Sequence, residues 1–522
     1  MRVLLISPKL PLSYWTLEPS CRIAGSKTFM PPLGLLTVAA LLPREWELRL
    51  ADLNVRSLRT DDWTWADMVM VSGMFIQREG VLEVLQQCKN RGKTVVVGGP
   101  YATSMPHEVL EAGADFVVVG EGENTVPDLL AALHEDKAQA VIKNEVKPEM
   151  STSPVPRFDL LRLEDYALVA IQTSRGCPFN CEFCDIVNLF GRKPRYKNPD
   201  QVLLELDALH NLGWRSEVFV SDDNFIGNPQ RATAILEELI PWTRDKVEEF
   251  TFSTQVSLNL ARDPELMDLM YRANFRGVFI GIETPDEEVL SRNRKFQNIR
   301  NPAAESVAKV QSHGISVVGS FVIGFDGEKE GAGDRICAFV EQADIPIVMV
   351  ELLRAFPNTD LYDRLERENR LIGVRNIGTG IETESLNYIP TRPEEQILEE
   401  YAKAWDYLYD RSRFLARAYR HFLALPPVAK GSRDSKKYRI ARHGLSSLGR
   451  GRRGFNEAVG FTLLVWWQGV RSGCRRQWWT QLVGMCLKNP TRFRDYVTIA
   501  GFSEHMFRLR GIIRNRNRNR GT

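Results

Sequence analysis

Short runs of apolar residues alternate with helical segments along most of the chain, and this alternation is the strongest constraint on its fold. Between the first runs, the segment Val81–Arg91 places its apolar residues near one side, as an amphipathic helix does. Runs that are almost continuously apolar favour parallel strands buried on both faces. The pattern predicts a doubly wound, Rossmann-like α/β domain over residues 1–146, with a ligand crevice at the carboxyl ends of its strands. The predicted strands are Arg2–Ser7, Glu47–Asp52, Met68–Ser72, Thr94–Gly98 and Phe116–Gly120.

A second series of apolar runs follows a linker rich in proline and serine, residues 147–157. Repeated βα units of this kind close into a full or partial barrel, with reactive groups at the carboxyl ends of the strands. We therefore predict a partial (β/α) barrel over residues 158–385 and a helical region over residues 386–522. The predicted barrel strands are Tyr166–Gln172, Glu217–Ser221, Glu249–Thr254, Gly277–Ile282, Val317–Gly324 and Ile347–Leu352.

Three of the eight cysteines lie within eight positions, directly after the first predicted barrel strand. Cys177, Cys181 and Cys184 have the spacing C-x3-C-x2-C, which lets one short loop present three thiolates to one face of a cubane iron-sulfur cluster. Closed zinc sites and electron-transfer clusters normally take four protein ligands, so three ligands leave one metal position open for a substrate or cofactor. The alternatives are three thiols with no shared role and a zinc site completed by a distant residue.

This motif resembles the cluster loop of the radical S-adenosylmethionine (SAM) enzymes, in which an aromatic residue directly precedes the third cysteine. Phe183 occupies that position here. The resemblance implies a [4Fe-4S] cluster on Cys177, Cys181 and Cys184, whose open iron chelates the amino and carboxylate groups of SAM. It also implies that an electron from the cluster splits SAM into methionine and a 5′-deoxyadenosyl radical.

Polar residues follow the predicted barrel strands, where carboxylates suit a cationic ligand. By the resemblance, Asp222, Asp223 and Asn224 take the place of the segment that holds the SAM ammonium group, and Glu283 suits its ribose hydroxyls or ammonium. The stretch Gly319–Glu328 matches the glycine-rich strand beside the adenine. A helix cap is the alternative for each acidic residue, since Asp at a strand end often caps the next helix. The predicted SAM contacts are Phe183, Asp222, Asp223, Asn224, Gln255, Glu283, Gly324 and Glu328.

Small residues follow three strands of the first domain, although no G-x-G-x-x-G dinucleotide fingerprint follows the first strand. Turns without side chains let a bulky planar ligand or its nucleotide tail approach the backbone. The pattern resembles the cobalamin-binding domain, in which a Ser/Thr-x-Leu turn and a later Gly-Gly turn line the pocket for the nucleotide tail. Ordinary βα turns are the alternative. The predicted cobalamin contacts are Ser72, Gly73, Met74, Gly98, Gly99, Gly120 and Gly122.

The first domain departs from many cobalamin-binding domains in one respect. Those domains carry Asp-x-His-x-x-Gly after the first strand, and the histidine is the lower axial ligand of cobalt. Here no histidine precedes His107. The resemblance therefore implies a cobalt without that ligand, as in the cobalamin-dependent radical SAM group.

The carboxyl-terminal part of the chain is strongly basic. From Lys430 to Thr522 there are 21 Lys and Arg against four Asp and Glu, a net charge of +17, while residues 1–429 carry 47 against 62, a net charge of −15. A basic arm of this kind implies an anionic partner, either lipid headgroups or nucleic acid.

The basic arm also contains an apolar run, Val459–Val470, and the pair Trp478 and Trp479. The run of about twelve residues is shorter than the ~20 that span a bilayer. Flanking arginines and paired tryptophans are typical of a segment in the membrane interface, and a buried core helix is the alternative. The tail Arg514–Arg520 alternates Arg with Asn, so we predict that it is disordered.

At the level of the whole chain, the sequence is identified as a member of the cobalamin-binding radical SAM family, close to its hopanoid C-2 methylase-like subgroup. The resemblance implies radical C-methylation of an unactivated carbon of a hopanoid or other polycyclic lipid, with methyl from methylcobalamin and a second SAM to remethylate cobalt. The segments that carry it are Pro31–Pro43, Trp63–Asp67, Gly98–Ser104 and Cys184–Arg195.

Other functions stay open from the sequence. A non-methylating radical rearrangement or ring closure uses the same cofactors, and an iron-sulfur redox module without SAM chemistry would leave the carboxylates unused. RNA methylthiotransferases resemble a different design, with three further cysteines in the first domain, where this chain has only Cys21 and Cys88. Scattered cysteines and no recognisable leader at Met1–Ser7 predict a reducing cytoplasm. The predicted partners are a lipid substrate, a reducing electron donor and the inner face of an anionic membrane, but not DNA.

Overall fold

The computed structural model of the chain describes residues 1–135, 139–246, 250–373, 385–428 and 452–520. In the last stretch, side chains are described from residue 458 to residue 517. The two predicted series of strands form two separate six-stranded sheets, and every neighbouring pair of strands in each sheet is parallel. The predicted fold class is therefore confirmed.

The amino-terminal sheet has the strand order β2-β1-β3-β4-β5-β6. Apolar residues of its strands alternate between two core clusters, one on each face, because successive side chains point to opposite faces of a strand. Helices cover both faces, as predicted for a doubly wound domain. The strands are β1 Arg2–Ser7, β2 Glu47–Asp52, β3 Met68–Ser72, β4 Thr94–Gly98, β5 Phe116–Val119 and β6 Ala140–Lys143. The helices are α1 Glu18–Ala24, α2 Leu33–Leu41, α3 Thr60–Trp65, α4 Arg78–Lys89, α5 Gly99–Ser104, α6 Pro106–Glu111 and α7 Gly122–His134.

The second sheet has the order β14-β13-β12-β11-β10-β7, so among the described residues its first and last strands do not pair. It forms the predicted partial barrel, and a short antiparallel pair, β8 and β9, frames the cysteine loop. The strands are β7 Val169–Ile171, β8 Ser174–Arg175, β9 Arg195–Tyr196, β10 Glu217–Val220, β11 Thr251–Val256, β12 Phe275–Glu283, β13 Ser316–Ile323 and β14 Ile347–Leu352. The helices are α8 Ile186–Phe190, α9 Pro199–Asn211, α10 Pro229–Asp245, α11 Pro264–Arg272, α12 Glu287–Arg292, α13 Ala303–Ser312, α14 Ala332–Gln342 and α15 Asp360–Arg367.

The carboxyl-terminal region covers the free edge of β14. Trp405 donates its indole N–H to the carbonyl oxygen of Val350 over 3.0 Å, and the Tyr409 hydroxyl accepts from the backbone N–H of Val348 over 3.1 Å. These contacts satisfy edge groups that would otherwise be available to another strand. Trp405 and Tyr409 therefore pack against the edge of the barrel sheet. The helices are α16 Glu394–Leu408, α17 Arg411–Ala424, α18 Arg452–Leu464, α19 Arg475–Lys488 and α20 Phe493–Arg520, with a π-helical turn at Val465–Arg471.

The last helix, α20, joins the two ends of the chain. Its residue His505 is hydrogen-bonded to the carbonyl oxygen of Ser13 at 2.9 Å, and Arg510 forms an ion pair with Asp406 at 2.9 Å. The helix extends to Arg520, so the prediction of a disordered tail from Arg514 is wrong for these residues. Packing of the preceding turns nucleates the helix, and cationic side chains near its carboxyl end are favoured by the helix dipole.

Residues 429–451, at the start of the basic arm, and residues 521–522 lie outside the described part of the chain. Among the helices that the structure describes, none combines the length and the apolar character needed to cross a bilayer.

Candidate functional site

The three motif cysteines lie on the loop of residues 173–197, at the carboxyl end of the barrel. The backbone N–H of Cys184 donates to the carbonyl oxygen of Cys181 over 3.2 Å, so the loop folds back tightly at this point. Burial raises the pKa of the Cys177 and Cys184 thiols, and the neighbouring Cys181 adds to the effect. Three thiols on one loop fit the donor set of a [4Fe-4S] cluster with one open iron.

A single metal ion fits this loop poorly. In the described ranges, no three His, Cys, Asp or Glu side chains are grouped closely enough to hold one ion. In a cubane cluster each thiolate binds a different iron, so its ligands need no such grouping. The zinc alternative therefore gains no support from the described residues.

Lys295 places a positive charge beside the cysteines. Its ammonium group is paired with Glu283, and it lies 5.7 Å from the centre of the Phe183 ring. Burial lowers the pKa of Lys295, but the charges of Glu283, Cys181 and Cys184 outweigh burial and hold that pKa above its usual value. A fixed cation of this kind stabilises thiolates and an anionic cluster electrostatically.

The side chain of Gln297 contacts a motif cysteine directly. Its amide Nε2 donates to the Sγ of Cys181 over 3.4 Å, a contact that bears on cluster potential. The sequence pattern did not predict a role for Lys295 or Gln297, which follow α12 far along the chain from the cysteines. The only signal was a polar Lys-x-Gln stretch behind the Glu283 strand.

The base of the loop is fixed by Asp222, which the sequence predicts as a SAM contact. The Asp222 carboxylate is fully buried and accepts four hydrogen bonds of 2.5–3.0 Å, two from backbone N–H groups and two from hydroxyls, all of Thr173 and Ser174. Burial raises its pKa, and these hydrogen bonds oppose that effect. The structure therefore does not support the SAM contact for Asp222; its oxygens are occupied by the loop.

Asp223 is the next residue, and its carboxylate is not bound by Thr173 or Ser174. It accepts from the backbone N–H of Gly176 over 2.8 Å and is partly exposed. Burial raises the pKa of Asp223 to about 7, and the neighbouring Asp222 adds to the shift. Gly176 has φ +94°, and a Cβ there would lie 2.9 Å from the carbonyl oxygen of Gly191, so the turn requires glycine. The predicted contact between Asp223 and the SAM ammonium group stays a prediction that this geometry favours.

Among the other predicted SAM residues, Asn224 is occupied by contacts within the protein as Asp222 is, whereas Gln255 is partly exposed as Asp223 is. Asn224 is buried and exchanges hydrogen bonds of 3.0 and 3.2 Å with Ser257, so the structure does not support a SAM contact for it. Gln255 is partly exposed on β11. Glu283 ends β12 with φ +68° and faces Lys295.

Gly324 and Glu328 contact each other. The Glu328 carboxylate accepts from the Gly324 N–H over 2.9 Å and pairs with Arg392 at 2.8 Å. Its second oxygen is buried and has no hydrogen-bond partner among the described residues. Phe183 packs on Phe325, with ring centroids 5.5 Å apart. Both contacts predicted for this stretch stay predictions.

Two of the three glycine turns predicted for cobalamin are open at the carboxyl edge of the first sheet. Ser72 and Gly98 are neighbours on β3 and β4, and both are partly exposed. Gly99 has φ +88°, and a Cβ there would lie 2.4 Å from the Ser72 hydroxyl, so close approach of the two turns requires glycine. Gly73 is buried against Val81, whereas Met74 is half exposed. An edge without bulky side chains fits a planar corrinoid and its nucleotide tail.

The third turn, at Gly120 and Gly122, is closed by the cysteine loop. Glu121 between the two glycines pairs with Arg175 at 2.8 Å and with Arg195 at 2.7 Å. Glu123 also pairs with Arg175, at 2.8 Å. All four of these charged side chains are buried. The structure therefore does not support cobalamin contacts at Gly120 and Gly122, because this turn binds the cluster loop.

A Cβ at Gly122 would lie 3.2 Å from Val38, so packing against α2 accounts for this glycine. A second contact between the domains joins Phe75, after β3, to Phe356, after β14, with ring centroids 5.8 Å apart. This contact joins the segment that follows β3, where one of the open turns lies, to the barrel that carries the cysteine loop.

Comparisons with protein families match three successive parts of the chain. Residues 19–130 match the B12 binding domain, residues 171–340 the radical SAM superfamily, and residues 359–519 a domain of unknown function, DUF4070. The matches follow the two sheets and the helical region.

Similar proteins span most of the chain. An uncharacterized methyltransferase of Synechocystis sp. is 45% identical over 98% of this chain and 93% of its own length. The hopanoid C-2 methylase of Rhodopseudomonas palustris is 38% identical over 71% of each chain. Among solved structures, the cobalamin-dependent SAM radical enzyme OxsB, with aqua-cobalamin and SAM bound, has a TM-score of 0.60 at 15% identity and covers 100% of this chain and 81% of its own.

Proposed function

This chain belongs to the B12-binding radical SAM family, and we propose that it methylates an unactivated carbon of a hopanoid or another polycyclic lipid. It is an enzyme of cobalamin-dependent radical C-methylation that uses a [4Fe-4S] cluster, SAM and cobalamin. The observation that carries the substrate class is the similarity to the hopanoid C-2 methylase, which is 38% identical over 71% of this chain.

When bound, the three cofactors supply electron transfer, hydrogen abstraction and the methyl group, and the protein supplies position and electrostatics. Cys177, Cys181 and Cys184 would hold the cluster. The carboxylate of Asp223 suits the ammonium group of SAM. Glu283 and Lys295 form an ion pair beside the cysteines. The turns at Ser72 and Gly99 would receive the corrinoid.

The buried ion pairs of Glu121 and Glu123 with Arg175 and Arg195 support this arrangement. They tie a strand end of the first domain to the loop that would carry the cluster. Buried ion pairs oppose movement of the first domain relative to the loop, since separating the paired charges leaves an uncompensated charge. We infer that the network fixes the distance between the two cofactors, which a transfer between a radical and a methyl donor requires.

Contact with a membrane surface is part of the same proposal. The helices of the basic arm expose large apolar side chains, among them Trp466 at 52% and Leu487 at 78% of their surface. The exposed Arg475 and Arg476 lie on α19, between these two residues in sequence. Exposed tryptophan and leucine beside cations suit the interface of an anionic bilayer. Trp478 is instead fully buried, so the arm combines a core with an exposed apolar face.

We propose a cytoplasmic enzyme that binds the inner face of the membrane through this exposed face and receives electrons from a reducing donor. The RNA methylthiotransferase alternative gains nothing from the structure, because Cys21 and Cys88 are both buried in apolar cores.

Anaerobic reconstitution with the iron-sulfur cluster and cobalamin, followed by addition of a chemical reductant, SAM and a hopanoid, tests the function. The expected result is a methylated hopanoid, with 5′-deoxyadenosine and S-adenosylhomocysteine formed in similar amounts. Lipid profiles of cells with and without the protein identify the methylated compound. Failure of the purified protein to bind cobalamin would falsify the proposal, and 5′-deoxyadenosine without S-adenosylhomocysteine would favour a rearrangement.

A further inference from the structure

A cavity of about 400 Å³ opens beside the cysteine loop, on the side of β11 and α12. We call it the arginine cavity, because four arginines line it: Arg192, Arg262, Arg294 and Arg300. Its other lining residues are Pro178, Phe179, Asn180, Asn259, Phe296 and Gln297. All four arginines are exposed, in a part of the chain whose net charge is negative.

The charge of the arginine cavity is only partly neutralised. Arg294 pairs with Asp360 at 2.5 Å, whereas Arg262 and Arg300 form no ion pair within the described ranges. Phe296 beside them is 51% exposed. Arginine and aromatic side chains are the types enriched where proteins bind other proteins.

One side chain of the arginine cavity, Gln297, contacts Cys181, a predicted ligand of the cluster. Gln297 lines the cavity, and its amide donates to the Sγ of Cys181 over 3.4 Å. The opposite side of the loop is covered by the first domain through Glu121 and Arg195. The arginine cavity is therefore a direct approach from the surface to the cluster.

We propose that the arginine cavity is the docking site for an acidic electron-transfer protein. This proposal rests on the proposed function, in which the cluster must be reduced before SAM is cleaved. In the step served by the site, one electron passes from the reduced partner to the oxidised cluster, so the partner is oxidised by one electron and no bond is made or broken. Positive charge in a small patch, within a part of the chain whose net charge is negative, orients an acidic partner and raises its association rate.

The test compares two reductants of the reconstituted holoenzyme: a reduced, acidic plant-type ferredoxin and photoreduced 5-deazaflavin, a small neutral molecule. In Arg262→Glu/Arg300→Glu, the second-order rate of cluster reduction by ferredoxin should fall at least about tenfold at low salt, and its salt dependence should flatten. Ferredoxin binding, measured by calorimetry, should weaken in parallel. Reduction by 5-deazaflavin should be unchanged.

The matched control is Arg475→Glu/Arg476→Glu, two exposed arginines of the basic arm. This variant should keep the ferredoxin rate, because the arm is not the docking site. Equal losses in both variants, or an unchanged ferredoxin rate in the cavity variant, would overturn the proposal. A cavity variant that methylates slowly with 5-deazaflavin but is reduced normally by ferredoxin would assign the cavity to an anionic substrate group instead.

Failure of the proposed function itself looks different. If the chain does not methylate lipids, the difference in cluster reduction between the two reductants is still measurable, because that readout precedes any substrate.

Discussion

The cysteine loop has two sides, and arginines on each side serve opposite purposes. On the inner side, Arg175 and Arg195 are buried against the first domain and paired with Glu121 and Glu123. On the outer side, the four arginines of the arginine cavity are exposed, and among the described residues Arg294 alone of the four is ion-paired, with Asp360.

The difference shows that burial, and not residue type, decides what a charged side chain does. A buried arginine that is ion-paired with carboxylates holds two domains in one relative orientation. Its electrostatic field is neutralised by its partners and has little effect on molecules in solvent. An exposed and unmatched arginine contributes little to stability, but its field extends over about one Debye length and acts on whatever approaches.

The comparison presupposes that the loop between the two sides carries the cluster. Cys181→Ala should abolish the iron-sulfur absorbance and SAM cleavage completely, because the loop contains no fourth cysteine to replace it. The unfolding free energy of the apo protein, from denaturant titration, should stay within about 0.5 kcal/mol of the wild type. SAM cleavage by this variant would contradict the assignment of the cluster to this loop, and with it the comparison between the two sides of the loop.

The sharpest contrast between the sides is in stability. Glu121→Ala leaves Arg195 buried without its carboxylate and should cost about 3–5 kcal/mol of unfolding free energy. Arg300→Ala on the outer side should change it by no more than about 0.5 kcal/mol. Denaturant titration of the two variants measures both values. Similar losses of unfolding free energy in the two variants would contradict the distinction between buried arginines that stabilise the fold and exposed arginines that attract a partner.

A buried ion pair at the end of the loop, within the barrel, should give a pH dependence of stability. Lys197 of the loop is paired with buried Glu205, whose pKa burial raises to about 7 although Lys197 opposes the shift. The folded state therefore keeps a proton that the unfolded chain loses near pH 4.5, and the unfolding free energy falls as pH rises from about 5 to 7, on the order of 1–3 kcal/mol. In the apolar replacement Lys197→Met/Glu205→Leu the slope should become shallower, because Glu205 no longer titrates while Asp223, whose pKa burial also raises to about 7, still does. Stability at neutral pH should be retained or raised. A slope equal to that of the wild type would assign the titration to other groups.

The smallest effect separates two adjacent carboxylates. Asp223→Asn should weaken SAM binding about tenfold, which corresponds to ~1.4 kcal/mol, because one charged contact to the ammonium group is lost. Its fold should be unaffected. Asp222→Asn should instead loosen the loop and lower the unfolding free energy, since its four hydrogen bonds are all internal. Equilibrium dialysis with labelled SAM and denaturant titration separate the two. Equal losses of SAM affinity at unchanged stability would restore the role that the sequence predicts for Asp222.

Much of the fold was predictable, because continuous apolar runs of strand length leave few alternatives. All five predicted strands of the first domain are present, whereas β6, Ala140–Lys143, was missed because it is short and its burial alternates. Within the predicted helical region, α16 and α17 are separate helices, because the Asp410 side chain caps α17 by accepting from the backbone N–H groups of Ser412 and Arg413.

The site was predictable only where the chemistry is local in sequence. The three cysteines stand on one loop, and their spacing carried the prediction. Asp222 and Asp223 are neighbours with the same side chain, and only the three-dimensional position of Thr173 distinguishes them. The turn at Gly120 resembles that at Gly98 in sequence, but Glu121 meets arginines more than fifty residues away. Contacts between distant segments depend on domain docking, which a sequence pattern does not encode.

The pairing of Glu121 with the cysteine loop bears on biosynthesis. Domains generally fold in the order in which the ribosome produces them. The first domain is therefore complete, with Glu121 and Glu123 already presented, when Arg175 and Arg195 emerge. The acidic turn is then available for the loop to dock on as the barrel folds. A barrel produced without the first 135 residues would leave Arg175 and Arg195 facing solvent without their carboxylates, so the loop would lose the contacts that fix its position.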